Sequence, residues 1–393
     1  MARNLDKSSI PENWKYDFLD KFAIRCSGHT PSQSHPEYWN GGIKWISLAD
    51  SNRLDQGYIF ETTKQISDEG IKNSSAVLLP AETVILSRDA GIGKSAVMSE
   101  TMAVSQHFIA WKCDNHEKLH SWFLYNWLQL NKPEFERQAV GSTIKTIGLP
   151  YFKKLKIAVP PFPEQQKIAQ ILSTWDKAIA VTEQLLANSQ QQKKALMQQL
   201  LTSKKRLLDE NGARFEGEWE EFSLGNIAKV YQPKTISQSQ LSFDGYPVYG
   251  ANGIIGYYCD FNHELEQIAV TCRGSTCGVV NWTMPKSWIT GNAMVINVDN
   301  NSAISKKFLF YVLSNADLKY LITGSGQPQI TGDIKNHVVH LASFKEQKVI
   351  AQVLTIADQE IEVLQRKLDC LQQEKKALMQ QLLTGKRRVK VAA

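Results

Sequence analysis

Apolar residues recur at steps of three and four along two stretches of the chain, which is the spacing of one face of a long helix. In the first stretch the predicted packing positions are Ile168, Leu172, Trp175, Ile179, Leu186, Leu196 and Leu200. In the second stretch they are Ile350, Leu354, Ile361, Leu364, Leu368, Leu378 and Leu382. Steps that average about 3.5 residues are typical of helices that pack lengthwise on one another. About 39 residues at 1.5 Å each would form a rod of roughly 58 Å.

The two stretches are copies of one sequence. The block KKALMQQLLT occupies residues 193–202 and again residues 375–384, at an offset of 182. Residues 164–206 align with residues 346–388 without a gap, and 24 of these 43 positions are identical. A homodimeric coiled coil is one interpretation, but two copies within one chain can also pair with each other, and we favour that pairing. An internal two-fold repeat suggests a partner or ligand that is itself two-fold symmetric.

The regions that precede the two helices also resemble each other. Residues 84–128 align with residues 269–313 at an offset of 185, which matches Arg88 with Arg273. Near residue 23 the offset is 205, so the first copy holds about 20 extra residues before residue 84. Both regions combine short β-rich runs, glycine-rich turns and a following helix, which predicts a mixed domain. The runs are residues 76–86 and 266–272, and the helices are residues 119–130 and 305–313.

The two domains differ in one segment. Residues 41–73 of the first domain and residues 235–258 of the second show little likeness. Binding residues are concentrated on variable loops that a constant scaffold positions. A shared scaffold with different loops therefore predicts two binding modules that read different targets.

Composition and charge narrow the class of protein. The net charge of +6 and the pI of about 8.8 favour an acidic partner such as nucleic acid. The six cysteines include no C-x-x-C pair, which argues against a disulfide framework or a zinc ribbon. The start of the chain has no apolar signal segment, and no run approaches 18 apolar residues. We therefore expect a soluble, cytoplasmic protein.

Two motifs suggest chemistry but are incomplete or unmatched. The run GIGKS at residues 91–95 would be a phosphate-binding loop only if residue 88 were glycine, and it is Arg88. His116, Glu117 and His120 form a complete H-E-x-x-H, a pattern that binds zinc when it lies on a helix. The matching residues 301–305 of the second copy contain no metal ligand, so a solvent-facing first helical turn is the favoured interpretation. Cys272 and Cys277 are expected to be packing residues, and no catalytic residue, metal or cofactor is predicted.

Basic, aromatic and amide side chains in the loops are candidates for DNA contact. Arginine, lysine, asparagine and glutamine are the side chains that read base edges and phosphates. The candidates are Lys44, Trp45, Arg53, Lys64, Arg88, Lys94, Lys234, Tyr249, Arg273 and Gln327.

These patterns together resemble the specificity subunit of type I restriction-modification systems, over nearly the whole chain. The resemblance rests on IKWIS at residues 43–47, ISDEGIKNSSA at 66–76, YPVYGANGIIG at 246–256 and KSWITGNA at 286–293. It also rests on Pro160-Pro161 followed by Glu164-Gln165, and on the helix repeat. The second copy departs at its exit, where Leu341-Ala342-Ser343-Phe344 replaces the prolines.

The resemblance implies an α+β fold with pseudo-two-fold symmetry. Two mixed α/β target recognition domains, residues 1–163 and 207–345, would be separated by two long antiparallel coiled-coil helices. These are the spacer helices of residues 164–206 and residues 346–393, the latter including a basic tail. Each domain would read one half of a bipartite site in double-stranded DNA, and the helices would fix the spacer.

The resemblance also implies partners that carry the chemistry. Two modification subunits would dock on this chain, bind S-adenosylmethionine and methylate adenine N6. Restriction subunits would add ATP-driven translocation and cleavage, so this chain would bind no cofactor. Two alternatives come from the residues themselves: a stand-alone dimeric DNA-binding or scaffold protein, and a zinc hydrolase built on His116 and His120.

Overall fold

A computed structural model describes residues 10–113, 118–142, 145–251, 253–324 and 326–391. The chain forms two compact units. One consists of Met1–Glu183 with Lys367–Ala393, and the other is Gln184–Arg366. Each unit therefore contains one globular domain and one half of each long helix. Among the described residues, no helix combines the length and the apolar character that a membrane crossing needs.

The first domain precedes the first long helix. Its strands are β1 (Lys15–Phe18), β2 (Ile24–Ser27), β3 (Trp39–Ile46), β4 (Tyr58–Ile59), β5 (Lys64–Ile66), β6 (Val84–Ser87), β7 (Ser95–Met98), β8 (Ala103–Val104), β9 (Phe108–Lys112) and β10 (Lys156–Val159). Its helices are α1 (Asp68–Lys72), α2 (Ser121–Leu130), α3 (Lys132–Gln138) and α4 (Leu149–Lys153), and the long helix α5 (Phe162–Leu200) follows.

The second domain follows α5. Its strands are β11 (Glu220–Ser223), β12 (Lys229–Tyr231), β13 (Tyr246–Gly250), β14 (Gly253–Tyr258), β15 (Ile268–Thr271), β16 (Val280–Trp282), β17 (Trp288–Ile289), β18 (Ala293–Asn297), β19 (Ile322–Thr323), β20 (Gln329–Ile330) and β21 (Val338–Leu341). Its helices are α6 (Leu224–Ile227) and α7 (Lys306–Asn315), and the long helix α8 (Phe344–Leu382) follows.

The two domains repeat one strand topology. The sheet order β2-β9-β6-β7 corresponds to β12-β18-β15-β16, and the pair β1-β10 corresponds to β11-β21. Strand β3 pairs antiparallel with β5 and parallel with β8, as β13 does with β14 and β17. Segments with little sequence likeness therefore form the same small sheet. The prediction of two mixed domains of common fold is confirmed.

Buried apolar strands define the core of each domain. Every residue of β6 and of β15 is buried, as expected for a central strand covered on both faces. Leu172 of α5 and Leu382 of α8 join the core of the first domain, and Leu200 and Leu354 join that of the second. The long helices are thus continuous with the domain cores in each unit.

Most of the extra residues of the first copy lie between β3 and β5. Residues 47–63 connect these strands and contribute β4, which pairs parallel with β7 at the sheet edge. In the second domain β13 and β14 are joined directly in a hairpin. The connection between β5 and β6 (residues 67–83) is also longer than that between β14 and β15 (residues 259–267), so the extra length arises in two places. The larger of the two is here called the β3–β5 insertion (residues 47–63).

The long helices pair antiparallel within each unit. In the first unit Lys375 pairs with Asp176, and Arg388 pairs with Glu164. In the second unit Lys193 pairs with Asp358, and Arg206 pairs with Glu346. One partner number rises as the other falls, which is an antiparallel register. These contacts are made within the chain, as the pairing of two internal copies requires.

The predicted packing positions lie on the inner side of the helices. Those most deeply buried are Ile168, Leu172, Leu200, Ile350, Leu354 and Leu382. Leu186 and Leu368 are also buried. The half-buried positions are Trp175, Ile179, Leu196, Ile361, Leu364 and Leu378.

The helix boundaries differ from the sequence prediction. Both helices begin two residues earlier, at Phe162 and Phe344, and end at Leu200 and Leu382 instead of continuing through residues 206 and 388. At equivalent places after each helix Ser203 has φ +56° and Gly385 has φ +72°. A residue in this left-handed region ends a helix and turns the chain.

Candidate nucleic-acid interface

The loop that follows the central strand occupies the same place in both domains, and we call it the central loop (residues 88–94 and 272–279). In the first domain the amide of Gly93 donates to the carbonyl of Ser87 at 3.0 Å. In the second domain the amide of Gly278 donates to the carbonyl of Thr271 at 2.8 Å. Both glycines have positive φ, +80° and +91°, which a glycine adopts without steric cost.

The structure corrects the alignment of Arg88 with Arg273. The amide of Arg88 donates to His107 O at 2.9 Å, whereas the corresponding bond in the second domain joins Cys272 to Asn292 O at 3.0 Å. The central loop of the second domain is therefore one residue longer, and Arg273 follows the position equivalent to Arg88. The gapless sequence alignment hides this shift because Gly93 and Gly278, which come after it, match at the same offset of 185.

Arg88 is an anchor within the first domain. Its Nε donates to Ile147 O at 3.1 Å, and its guanidinium lies 3.8 Å from the Asp89 carboxylate. Asp89 in turn contacts Nδ1 of His107 at 2.7 Å and the hydroxyl of Thr146. These bonds hold the central loop against Thr146 and Ile147, which lie just before α4.

Arg273 and Gln327 are brought together in the second domain. Arg273 forms a backbone bridge with Gln329, and the amide of Gly274 donates to Pro328 O at 3.0 Å. The side chains of Arg273 and Gln327 are both exposed. Both side chains therefore lie on the surface of the second domain.

Carboxylates surround two basic candidates of the first domain. The ammonium of Lys44 contacts Glu100 and lies 3.1 Å from Glu61, and these carboxylates raise the pKa of Lys44. Arg53 Nη1 donates to Asp50 Oδ1 at 2.8 Å, and Asp50 is fully buried. The positive charge of each residue is therefore compensated within the domain.

The aromatic candidates pack against protein. Trp45 is buried, its indole N–H donates to His29 O at 3.1 Å, and its ring meets Trp39 edge-to-face at 5.3 Å. The ammonium of Lys64 lies 5.7 Å from the centre of the Trp39 ring. Tyr249 is buried, its hydroxyl accepts the amide of Met284 at 3.1 Å, and burial raises its pKa.

Two other lysines differ in their surroundings. Lys234 is exposed, and its carbonyl accepts the indole N–H of Trp288 at 3.1 Å. Lys94 is half-buried, and its ammonium donates to the carbonyl of Ser51 at 2.8 Å and to its hydroxyl at 3.2 Å. For all ten candidates, contact with DNA stays a prediction.

A repeated Glu-Gln pair has a structural role that the search for DNA contacts missed. Gln165 accepts the amide of His120 at 2.8 Å, and Gln347 accepts the amide of Ser305 at 2.9 Å. These amides lie at the starts of α2 and α7, so each glutamine fixes a long helix to the short helix of its domain. The preceding Glu164 and Glu346 hold the arginines described above. Identity of these letters in both copies is the signal that could have identified them.

The H-E-x-x-H motif lies partly outside the described residues, because these do not include His116 and Glu117. His120 directly precedes α2, and its ring lies 5.7 Å from that of Phe162. Within the described ranges no group of three or more His, Cys, Asp or Glu residues is arranged to hold a metal ion. Cys272 is buried, with its Sγ 3.5 Å from Gly291 O, and burial raises the pKa of the half-buried Cys277.

One domain fold used twice, with different outer segments and matched long helices, defines a recognition protein with two modules. The chain belongs to the family described as the type I restriction modification DNA specificity domain, whose model matches residues 11–189 and 216–373. The match falls on both copies and extends into both long helices.

Curated relatives span nearly the whole chain. The specificity subunit of the type I restriction enzyme EcoprrI from Escherichia coli is 25% identical over 370 residues, which cover 90% of each chain. The specificity subunit of the MjaVIII enzyme from Methanocaldococcus jannaschii is 24% identical over 421 residues, which cover 97% of this chain and 94% of the relative.

Solved structures show the same fold. The S subunit of a type I restriction-modification system from M. genitalium has a TM-score of 0.66 at 18% identity, covering 96% of this chain and 97% of its own. The HsdS subunit from Thermoanaerobacter tengcongensis has a TM-score of 0.50 at 15% identity, covering 96% and 98%. The architecture expected from the family resemblance is confirmed.

Proposed function

We propose that this chain is the DNA-recognition subunit of a type I restriction-modification complex and that each globular domain reads one half of a bipartite site. One observation carries the proposal: the family match falls on two copies of one fold whose outer segments differ. Common β-topology around β3 and β13 with unlike sequences supports two recognition surfaces built on one plan. Sequence is read by side chains at base edges, so unlike segments specify unlike half-sites.

We propose that two modification subunits dock on the long helices by equivalent contacts. Val181 and Val363 occupy matching positions of the helix repeat, and both are exposed, 60% and 56%. Apolar side chains at matching exposed positions suit two copies of one partner. In this proposal the modification subunits bind S-adenosylmethionine and methylate adenine, and restriction subunits add ATP-driven cleavage in the cytoplasm.

The test is methylation of DNA by the complex. The chain is co-expressed with the modification subunit of its own system, and long-read sequencing maps N6-methyladenine across the host genome. We expect two short specified sequences separated by a spacer of fixed length. Absence of adenine methylation, or methylation at a continuous site, would contradict the proposal.

A graft separates the roles of the two domains. Residues 41–73 are replaced by the corresponding segment of a relative with another target, and residues 235–258 are replaced in the reciprocal variant. Each graft should change one half of the methylated site and leave the other half unchanged. A change of both halves by one graft would argue against independent modules.

The molar mass of the complex tests the alternative that this chain is a stand-alone dimeric DNA-binding or scaffold protein. Light scattering of the purified chain with and without the modification subunit should show one specificity chain in the complex. A complex that contains two specificity chains would instead favour pairing between chains.

A further inference from the structure

A basic cleft of about 510 Å³ opens beside the central loop of the first domain. Its lining includes Gly91, Ile92, Lys94, Lys132, Glu136 and Lys145. Three lysines against one glutamate give the lining a formal charge of +2, and the Asp55 carboxylate paired with Lys132 leaves a net charge of +1 at the cleft. Positive charge concentrated in a concave surface attracts anions more strongly than the same charge on a flat surface.

Lys94 directs an uncompensated charge into this cleft. Its ammonium donates to two oxygens of Ser51, which are a carbonyl and a hydroxyl, so neither contact neutralises it. Across the described ranges no carboxylate pairs with Lys94. An ammonium has three N–H donors, and the two contacts with Ser51 leave one for a ligand.

Lys132 is held in place on the other side. Its ammonium lies 2.7 Å from Asp55 Oδ2, while Asp55 Oδ1 accepts the amide of Ser95 at 2.9 Å and the side-chain amide of Gln129 at 2.6 Å. These bonds fix the carboxylate, and the carboxylate fixes the lysine. Lys145 is exposed at the cleft and completes the basic lining.

Two glycines of the central loop let the backbone approach these lysines. A Cβ on Gly91 would lie 2.8 Å from Ser51 Oγ and 3.5 Å from Lys94 Cδ. A Cβ on Gly93 would lie 2.9 Å from Lys132 Cγ. Both glycines have positive φ, so a side chain would be unfavourable on conformational grounds as well.

The second domain lacks this arrangement. Its equivalent glycine, Gly278, faces Leu318, and Val279 follows it where Lys94 follows Gly93. Ser51 and Asp55, which position Lys94 and Lys132, both belong to the β3–β5 insertion, and the β13–β14 hairpin has no counterpart to it. Among the described residues, these elements of the basic cleft therefore occur in the first copy.

We propose that this cleft binds a phosphodiester group of the DNA backbone beside the half-site read by the first domain; this rests on the proposed DNA-recognition function. Phosphate contacts fix the position of a protein on the duplex without reading sequence. Lysines recognise a phosphate as point charges, which suits an open cleft with no arginine fork. The ligand class is thus an anionic phosphodiester, and its contribution to binding depends on salt and not on base sequence.

The test compares two charge-matched double variants within the complex with the modification subunit. Lys94→Gln/Lys145→Gln removes two charges from the cleft, and Lys153→Gln/Lys154→Gln removes two exposed charges of the same domain that do not line it. The Kd is measured for a duplex that contains the site mapped by methylation and for an unrelated duplex, each at about 50 mM and about 200 mM salt. Loss of one phosphate contact lowers the salt slope by about 0.9, so the ratio of the two Kd values should fall by roughly 3.5-fold.

This reduction in salt dependence should be equal on both duplexes and absent from the Lys153/Lys154 variant. Equal loss in both double variants, or loss confined to the specific duplex, would overturn the proposal. Duplexes with single neutral methylphosphonate linkages supply a second readout: one linkage should weaken binding by the wild type and leave binding by the cleft variant unchanged. If no position of the neutral linkage weakens wild-type binding while leaving binding by the cleft variant unchanged, the proposal is also overturned.

Free phosphate is the other source of the same chemistry. Thermal stability of the complex without DNA is compared in inorganic phosphate and in chloride at equal ionic strength. A phosphate-specific stabilisation that the cleft variant loses would show a free-anion site and overturn the backbone assignment. If the wild-type complex fails to bind any bipartite duplex, the proposed function fails; if it binds and the cleft variant matches it, only the cleft assignment fails.

Discussion

At the scale of single residues, matched arginines hold buried carboxylates at the ends of the long helices. Arg206 donates to both oxygens of Glu346 at 2.6 and 2.7 Å, and the Glu346 side chain is 1% exposed. Arg388 makes the same two bonds to Glu164 at 2.6 and 2.7 Å. Bidentate pairs of this kind are strong, and a buried carboxylate without its partner is costly.

Replacement of Arg206 by methionine should therefore destabilise the protein strongly. We expect the free energy of unfolding in urea to fall by about 3 kcal/mol or more, because Glu346 would be left buried and unpaired. Arg366→Met is the control, since the pair of Arg366 with Glu362 is exposed and should contribute less than about 0.5 kcal/mol. A double change of Arg206→Met with Glu346→Leu should recover most of the loss; equal destabilisation by the single and double changes would contradict this account.

A buried histidine in the second domain should make stability depend on pH. His263 Nε2 lies 2.9 Å from the hydroxyl of Tyr231, and its Nδ1 lies 2.6 Å from Asn262 Oδ1. Burial lowers the pKa of His263, Asp299 raises it in part, and Lys306 lowers it. The folded protein therefore keeps the ring neutral at a pH where the unfolded chain protonates it.

The sign follows from this difference. Stability should be unaffected by His263 above about pH 6.5, the ordinary histidine value, and should fall as pH drops from there toward the lowered folded pKa. We expect the Tm to fall between pH 7.5 and pH 5.5 by less in His263→Gln than in the wild type. An unchanged pH dependence in His263→Gln would disprove the assignment.

At the scale of elements, the heptad pattern predicted the helices, but their ends depended on local backbone geometry. Periodicity reports the buried stripe because apolar side chains must face the partner helix and the domain core. It carries no information on the left-handed residues at Ser203 and Gly385 that end the helices, since serine there is not a usual terminator.

Two leucines of α5 test which face is packed. Leu172 is fully buried in the core of the first domain, whereas Leu185 is 46% exposed. Leu172→Ala should lower the free energy of unfolding by about 2–5 kcal/mol through lost burial and the cavity left behind. Leu185→Ala should change it by no more than about 0.5 kcal/mol. If urea denaturation shows similar losses of unfolding free energy for the two changes, the face of α5 that carries Leu172 is not the packed one.

At the scale of the whole molecule, the repeat makes each unit from distant parts of the chain. In the first unit Arg388 donates to Glu12 O at 3.0 Å, and in the second unit Arg206 donates to Gly217 O at 2.8 Å. The same contact is therefore made between the two ends of the chain in one unit and within a short linker in the other. The first unit is therefore completed only when the segment that follows α8, which contains Arg388, reaches the start of the first domain at Glu12.

The spacer of the DNA site should depend on helix length. One heptad is inserted after Glu183 and another after Arg366, between the ion pairs of the two units, so that the apolar stripe and all four pairs keep their partners. Seven residues lengthen each helix by about 10.5 Å, which equals about three base pairs at 3.4 Å each. Methylation assays on duplexes of varied spacer should shift their optimum by about three base pairs, and an unchanged optimum would show that helix length does not set the spacer.

The sequence by itself determined the duplication, the two long helices and their buried stripes, and the family. Repetition and periodicity are properties of the order of residues, so they can be read without coordinates. The repeated glutamates and glutamines were visible as identities between the two copies, although their partners were not.

Only the tertiary structure decided which candidate side chains remain available to a ligand. Trp45 and Tyr249 are buried, Lys44 is paired with carboxylates distant in sequence, and Arg53 is paired with Asp50, a carboxylate three residues away that the fold buries. Arg273 is exposed, one residue past the position equivalent to Arg88. It also showed that unlike segments form the same small sheet, and that the β3–β5 insertion creates a basic cleft in one copy. These outcomes depend on which distant residues meet in space, because burial and ion pairing are set by tertiary contacts and not by neighbouring letters.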